Sequence, residues 1–381
     1  MSAMIEPFQI AVPEAILEDL TSRLQHARWP DSVIDAAWRY GTNIEYLKNL
    51  VAYWLETFDW REQERRLNQI PQYRAASPAG RLHVVWRRAD GGHHFPLLLA
   101  NGWPSAFTEY LKLIPLLGSG RHGFDIVIPS IPGYGFSDRP TTAGMTPAKV
   151  ATAWLILMSR LGYERFGVHA SDNGKGVLQH MLAQAPERIV GYHMSNMWWG
   201  YADEPSLVGK TPEEEAYLTS GALWDVEEGG YAAIQATRPQ TLAYGLHDSP
   251  IGLAAWIVEK LRSWSDCDGD VERRFTKDEI LTLVMIYWAT GTINSANRYY
   301  FEAAHTDEPL DLTGARSVPA AIAIFPKDIS PAPRSWGKRW LNLHRWTQMP
   351  RGGHFPAHEE PDLLAEDLIA FFGHRIHETS E

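Results

Sequence analysis

The segment GVHASDNGKG, residues 167–176, has the spacing of a turn that presents a catalytic nucleophile. In such a turn a strand leads into a helix, and small residues two positions before and after the centre leave room for a strained backbone. Ala170 and Gly174 occupy the small positions around Asp172. The central residue is therefore a carboxylate where many hydrolases have a serine. The same letters also fit an ordinary polar turn, because Ser, Asp, Asn and Gly are common turn residues.

Two later residues could complete a catalytic set with Asp172. Asp328 follows the apolar run AIAIFP, and His354 lies in the Gly-rich segment RGGHFP before the helix-like run LLAEDLIAFF. A carboxylate behind a histidine orients the imidazole and stabilises its protonated form. Each residue alone also fits a structural role, a helix-capping Asp or a loop His. Their order along the chain, nucleophile then acid then histidine, favours the catalytic interpretation.

The elements that must position these residues indicate an α/β protein. Short apolar runs typical of buried parallel strands alternate with helix-like runs. The predicted strands are RLHVVWRR, PLLLANG, FDIVIPS, FGVHA and AAIAIFP, and the predicted helices between and after them include ATAWLILMSRLG and GVLQHMLAQ. Asp172 then lies at the end of one strand, and Asp328 lies just beyond another.

The chain is predicted to have an α/β core with two additions. Residues 1–80 carry helical periodicity, as in the run from Ile16 to Leu24, and form an N-terminal extension. Between about 200 and 310 the strand signal stops, and LAAWIVEKLRSW and KDEILTLVMIYWATG indicate helices. The predicted organisation is an extension over 1–80, a core over 81–200 and 313–381, and a helical lid over 201–312.

Composition narrows the classes of partner. The 381 residues carry a net charge of −11, which argues against nucleic acid or an anionic membrane surface as a partner. Cys267 is the single cysteine, so an intrachain disulfide and a cysteine-based metal cluster are excluded. The N-terminal residues lack the pattern of a signal peptide, and no apolar run is long enough to span a membrane. A cytoplasmic protein is expected.

Several motifs together resemble the microsomal-type epoxide hydrolases, over nearly the whole chain. The N-terminal part contains ARWPD, FDWR and LNQIPQY, and the core contains NGWP, IPGYGFSDRP and PRGGHFPAHEEPDLLAEDL. The predicted lid contains GYAAIQATRPQTLAYGL and NRYYFE, which are similar to the segments that carry the family's ring-opening tyrosines. The resemblance implies the α/β-hydrolase fold: a mostly parallel sheet, a helical cap, and an N-terminal extension that packs on core and cap.

The resemblance also implies a role for each candidate residue. Asp172 attacks an epoxide carbon and forms an ester, which water can cleave, whereas a serine would form a stable ether. Tyr231 and Tyr300 bind the epoxide oxygen and supply its proton. His354, oriented by Asp328, activates the water that cleaves the ester, and the product is a vicinal diol.

Further implications concern the oxyanion and the ligands. The backbone N–H groups of Trp103 and Asn173 would bind the oxyanion. The substrates would be water and a small epoxide, apolar and, given 16 Trp and 15 Tyr, aromatic. No metal or organic cofactor is needed. The resemblance is equally compatible with a bacterial enzyme of detoxification and with one of secondary metabolism. It leaves open whether the protein forms a homodimer.

The match to the family departs at three positions. Asn101 replaces the histidine usual before Gly-x-Pro, and since Asn also forms hydrogen bonds we expect tuning of activity rather than its loss. Asn173 follows the nucleophile where relatives often have Trp, and Lys175 stands where a small residue is usual.

Two other functions stay open from the sequence alone. A haloalkane dehalogenase also uses an Asp nucleophile, and it typically binds halide with an indole N–H beside the nucleophile and a second donor from Trp or Asn. Here Asn173 is beside the nucleophile, and the paired tyrosines with an acidic Asp328 favour an epoxide. A ligand-binding protein on the same scaffold would lack catalysis, and such proteins usually lack part of the catalytic set. An ester hydrolase is disfavoured, because attack by Asp would give an anhydride.

Overall fold

The computed structural model describes residues 5–90, 94–118, 123–197, 209–308 and 310–375. Within these ranges nine strands form one sheet, in the spatial order β1-β2-β3-β5-β4-β6-β7-β8-β9. The strands are β1 (Ile5–Pro7), β2 (Gln72–Ser77), β3 (Gly80–Arg87), β4 (Phe95–Ala100), β5 (Phe124–Pro129), β6 (Phe166–Ala170), β7 (Ile189–Ser195), β8 (Pro319–Ile324) and β9 (Asn342–Gln348).

The sheet is mostly parallel. All neighbouring pairs from β5 through β9 in the spatial order are parallel, whereas β1, β2 and β3 pair antiparallel and join the sheet at β5. Every residue of β4, β5, β6 and β7 is buried, as expected for apolar strands covered on both faces. The carboxyl ends of β4, β6 and β8 therefore meet at one edge of the sheet.

Helices cover the sheet and fill the two additions. The helices before β8 are α1 (Glu14–Gln25), α2 (Ile44–Glu56), α3 (Trp60–Leu67), α4 (Ile114–Gly118), α5 (Pro147–Arg160), α6 (Asn173–Gln184), α7 (Pro212–Glu227), α8 (Gly230–Thr237), α9 (Pro239–Asp248), α10 (Pro250–Trp264), α11 (Lys277–Thr290) and α12 (Ile293–Ala304). The helices after β8 are α13 (Arg334–Trp340), α14 (Pro356–Glu359) and α15 (Pro361–Phe372).

The predicted fold class is confirmed, and the predicted strands correspond to β3, β4, β5, β6 and β8. The described residues between β7 and β8 contain helices α7 to α12 and no strand. The strands that the sequence did not predict are β1, β2, β7 and β9. The domain boundaries stay a prediction, and the proposed starts of the extension and the lid, at residues 1 and 201, lie outside the described residues.

Candidate active site

Asp172 lies in a strained turn between β6 and α6. Its backbone has φ 45° and ψ −129°, a conformation that non-glycine residues rarely adopt. The helix begins at the next residue, so the turn lifts the carboxylate out of the sheet. A Cβ on Gly174 would overlap the backbone of Ala100 on the neighbouring strand β4. Close packing of α6 on β4 therefore requires the small residue at that position.

The loop after β4 holds one oxygen of Asp172. The backbone N–H of Trp103 donates to Oδ1 at 2.8 Å, and the backbone N–H of Asn173 also interacts with this carboxylate. A Cβ on Gly102 would overlap Oδ1 and press on the backbone of Asn173. Glycine at this position thus lets both backbone donors approach the carboxylate of Asp172.

The other oxygen of Asp172 faces His354. Nε2 of His354 lies 3.2 Å from Oδ2 of Asp172, and Nδ1 lies 2.7 Å from Oδ1 of Asp328. Oδ1 of Asp328 also accepts the backbone N–H of Ile329 at 2.7 Å, which fixes the carboxylate. The structure thus brings together the three residues that the sequence placed in order along the chain.

The electrostatics of this group follow from its burial and its two carboxylates. Burial alone would lower the pKa of His354, but Asp328 and Asp172 outweigh burial and raise this pKa to about 10. Burial alone would raise the pKa of Asp172, but His354 and the backbone donors outweigh burial and lower it. The resting site therefore contains an imidazolium between two carboxylates.

A buried glutamate that the sequence interpretation did not single out supports the histidine loop. Glu359 accepts the backbone N–H groups of Phe355 at 2.9 Å and Gly353 at 3.1 Å, on either side of His354. The backbone N–H of His354 itself donates to the carbonyl of Trp264, at the end of α10, at 2.8 Å. The sequence signal that could have identified Glu359 is its position in the motif PRGGHFPAHEEP.

Tyr231 and Tyr300 approach the site from two helices of the predicted lid. Tyr231 is the second residue of α8, and Tyr300 lies in α12. The ring of Tyr231 stacks on that of Trp103 at 5.1 Å between centroids, and the two tyrosine rings are 5.9 Å apart, edge to face. Burial raises the pKa of both phenols, and Asp172 raises each further, so both are proton donors at neutral pH.

All five candidate catalytic residues border one cavity of about 330 Å³. Its wall is largely aromatic on the side of the helices, where Trp224 and Tyr299 join the two tyrosines. On the side of α6 the wall is polar. The lining residues are Pro147, Asp172, Asn173, Lys175, Gly176, Gln179, Asn196, Trp224, Tyr231, Tyr299, Tyr300, Ala303, Asp328, Ile329 and His354.

The three departures from the family pattern have defined places. Asn101 is buried directly after β4. The amide of Asn173 donates to the hydroxyl of Tyr134 at 3.3 Å. Lys175 is buried in the first turn of α6 and lines the cavity, rather than pointing into solvent.

Comparison with known proteins identifies the family. The family model described as epoxide hydrolase N terminus matches residues 5–110, and the model for the alpha/beta hydrolase fold matches residues 96–240. The chain is 34% identical to Epoxide hydrolase 1 of Sus scrofa over 412 residues, which span 97% of this chain and 88% of that protein. The chain belongs to the microsomal-type epoxide hydrolases.

Other members of this family agree in sequence and in fold. Juvenile hormone epoxide hydrolase 2 of Ctenocephalides felis is 34% identical, over 96% of this chain and 85% of its own length. The crystal structure of juvenile hormone epoxide hydrolase from the silkworm Bombyx mori superposes with a TM-score of 0.86 at 29% identity, over 99% of this chain and 95% of that chain. The protein is an epoxide hydrolase with the α/β-hydrolase fold.

Within the described ranges, the structure contains neither a membrane-spanning helix nor a cluster of metal-ligating side chains. No helix there is long and apolar enough to cross a membrane. In the same ranges, no group of three or more His, Cys, Asp or Glu side chains could hold a metal ion.

Proposed function

We propose that this epoxide hydrolase converts an epoxide with an aromatic substituent to a vicinal diol through a covalent ester on Asp172. The observation that carries the proposal is that the two oxygens of Asp172 have different partners. Oδ1 accepts the N–H of Trp103, while Oδ2 lies 3.2 Å from Nε2 of His354. This arrangement supports Oδ2 as the nucleophile and Oδ1 as the future carbonyl oxygen of the ester.

In the first step Oδ2 of Asp172 forms a bond to an epoxide carbon, and the bond from that carbon to the epoxide oxygen breaks. An alkoxide is a poor leaving group, so a proton must reach the oxygen as the ring opens. Tyr231 and Tyr300 supply that proton and the second hydrogen bond. Their raised pKa values keep both phenols protonated until the oxygen acquires charge.

In the second step His354 takes a proton from water, and the resulting hydroxide attacks the ester carbonyl of Asp172. Negative charge then develops on Oδ1, where the N–H groups of Trp103 and Asn173 stabilise it. Collapse breaks the bond from the carbonyl carbon to Oδ2, which leaves in the diol and takes up the hydroxyl proton of the tetrahedral intermediate, so Asp172 is again a carboxylate. The imidazolium proton of the resting His354 passes to the tyrosinate after ring opening, and the proton taken from water restores the imidazolium.

The pKa of His354 suits this sequence of steps. In the resting enzyme Asp172 contributes to raising that pKa to about 10. Ester formation removes the charge of Asp172, so the pKa of His354 falls when a neutral base is needed. The second carboxylate, Asp328, keeps the imidazole oriented throughout.

A trapped ester tests the mechanism. His354→Gln removes the base but leaves the nucleophile, so ring opening should continue while the ester accumulates. Intact-mass spectrometry after mixing with styrene oxide should show protein plus one substrate mass, on the peptide that contains Asp172. Asp328→Asn should also slow ester cleavage more than its formation.

The matched control is His305→Gln, which changes an exposed histidine at the end of α12. It should turn over styrene oxide without accumulating an adduct. Absence of an adduct in His354→Gln, with wild-type turnover intact, contradicts covalent catalysis. Loss of ring opening in Asp328→Asn, with the fold intact, would reverse the assignment of Asp172 and Asp328.

A further inference from the structure

Lys175 is a buried cation in the wall of the catalytic cavity. The residue is 8% exposed, and its Nζ has one long hydrogen bond, 3.5 Å, to the carbonyl of Ser195. Within the described part of the chain, no carboxylate forms an ion pair with this ammonium. A buried charge without a close partner costs stability, so its presence calls for a function.

The position of Lys175 in its helix adds to that cost. It is the third residue of α6, in the first turn, where the helix dipole disfavours a positive charge. Burial lowers the pKa of Lys175, and the nearby carboxylates of Asp328 and Asp172 offset that effect only in part. The cavity thus holds a cation at the end of a helix that already attracts anions.

Two further polar groups border the cavity beside Lys175. Gln179 lies one turn further along the same face of α6. Tyr299 is 5% exposed, and its hydroxyl has no hydrogen-bond partner among the described residues. Gly176, the neighbour of Lys175, faces Tyr299, since a Cβ there would lie 4.0 Å from the hydroxyl.

We propose that Lys175, with Tyr299 and Gln179, binds a carboxylate on a substituent of the epoxide substrate. A carboxylate accepts hydrogen bonds from an ammonium, a phenol and an amide, and its single charge matches the single cation. A dianion such as a phosphonate would leave one charge unpaired near Asp172 and Asp328. The aromatic wall then receives the remainder of the substrate. This inference rests on the proposed function and specifies its substrate class.

The test compares two epoxides that differ in charge and little in size. trans-3-Phenylglycidate carries the carboxylate, and trans-3-phenylglycidamide is its neutral counterpart. The wild-type kcat/KM for the carboxylate should exceed that for the amide by roughly 10-fold or more, since a hydrogen bond to a charged group contributes more than one to a neutral group. The ratio of the two values should fall roughly 10- to 100-fold in Lys175→Met and a few-fold in Tyr299→Phe.

The matched control is Lys338→Met, which removes the same charge from an exposed position on α13. It should retain the wild-type ratio. A wild-type ratio of one or less overturns the inference, as does an unchanged ratio in Lys175→Met. If Lys175→Met fails to fold, an unchanged ratio in Tyr299→Phe overturns the three-residue site.

Binding without turnover separates this inference from the proposed function. Calorimetry should show that cinnamate binds the wild type more tightly than cinnamamide does, and that Lys175→Met loses this preference. That result, with neither epoxide hydrolysed, supports the carboxylate site while the proposed reaction fails. Hydrolysis of both epoxides without preference, and equal binding of cinnamate and cinnamamide, retains the reaction and rejects the carboxylate site.

Discussion

Glu109 shows at the scale of one residue how burial near the active site sets a protonation state. It is 6% exposed and lies in the 3-10 turn Phe107–Tyr110, after the loop that holds Asp172. The hydroxyl of Ser105 donates to its Oε2 at 2.5 Å. Burial raises the pKa of Glu109 from 4.5 to about 7, against the opposing effects of Ser105 and His354.

This raised pKa predicts a pH-dependent stability. Between about pH 4.5 and 7 the folded state retains a proton that the unfolded state has lost, so stability from this group falls as pH rises. Glu109→Gln removes the ionisation. The free energy of unfolding of the variant minus that of the wild type should therefore increase from pH 5 to pH 8, by roughly 1 to 3 kcal/mol.

Urea unfolding of the wild type and of Glu109→Gln at pH 5 and at pH 8 measures this change. Because Gln also accepts a hydrogen bond from Ser105, packing changes are small. Glu45→Gln, at an exposed position of α2, serves as the control for loss of a carboxylate. An equal stability difference between Glu109→Gln and the wild type at both pH values contradicts burial as the cause of the raised pKa.

At the scale of elements, α8 and α12 position the two tyrosines against Trp103 in the loop after β4. The rings of Tyr231 and Tyr300 both contact that of Trp103, at 5.1 and 6.2 Å between centroids. The phenols come from separate helices that pack against each other, and Tyr231 and Tyr300 also share a hydrogen bond. If both phenols bind the epoxide oxygen as proposed, that oxygen has two donors, one from each helix.

Removing both phenols should stop ring opening. Tyr231→Phe and Tyr300→Phe should each slow formation of the Asp172 ester roughly 10-fold, because the other donor remains. The double Phe variant should lose about two to three orders of magnitude in that step. Rapid mixing with styrene oxide, followed by mass spectrometry, measures the rate.

The control replaces Tyr244 by Phe, an exposed tyrosine of α9. It should form the ester at the wild-type rate, and all variants should keep the wild-type circular dichroism spectrum. If the double variant forms the ester at the wild-type rate, the tyrosines are packing residues. Haloalkane turnover that survives the double substitution would then favour the dehalogenase alternative.

The same elements show what sequence patterns predict and what they miss. Strands β4, β5, β6 and β8 consist mainly of apolar residues, because they are buried on both faces of the sheet. The sequence therefore predicts them. The edge strand β9, NLHRWTQ, is only partly buried and lacks such a run. Strand β7 buries His193, whose Nε2 lies 2.9 Å from Asp367 of α15, and that partner is 174 residues away.

The candidate site also contains some residues that the sequence predicts and others that it does not. The sequence predicted that Asp172, Asp328 and His354 meet, because Asp172 and Asp328 follow predicted strands and His354 lies in a Gly-rich loop before a predicted helix. Their catalytic roles stay a prediction. Glu359 was not predicted, since its role depends on two N–H groups that only the folded loop brings to it. The orientation of Lys175 into the cavity likewise depends on how α6 packs, which no local pattern encodes.

At the scale of the whole molecule, distant segments meet around the histidine loop. The N-terminal extension contacts the helices over the core, as Thr42 donates to the carbonyl of Ala255 at 2.7 Å and Tyr53 to Asp278 at 2.9 Å. Helix α10, held in this way, ends at Trp264, whose carbonyl accepts the N–H of His354. The N-terminal segment thus supports the loop of His354 through α10.

Gly353→Ala tests this contact. A Cβ at Gly353 would lie 2.6 Å from the carbonyl oxygen of Trp264 and 2.7 Å from the backbone nitrogen of Asp266, so the loop and the end of α10 must separate. Overpacking of this kind typically costs about 1 to 3 kcal/mol. Because His354 moves with the loop, we also expect a loss of roughly 10-fold or more in ester cleavage.

Gly245→Ala is the matched control, since a Cβ on this glycine of α9 would meet no atom within 4 Å. Alanine in a helix should raise the free energy of unfolding by about 0.5 to 1 kcal/mol and leave turnover unchanged. Urea unfolding and single-turnover kinetics on both variants give the comparison. If Gly353→Ala matches the wild type in stability and in ester cleavage, the helices over the core do not hold the base in place, and the support runs through Glu359 alone.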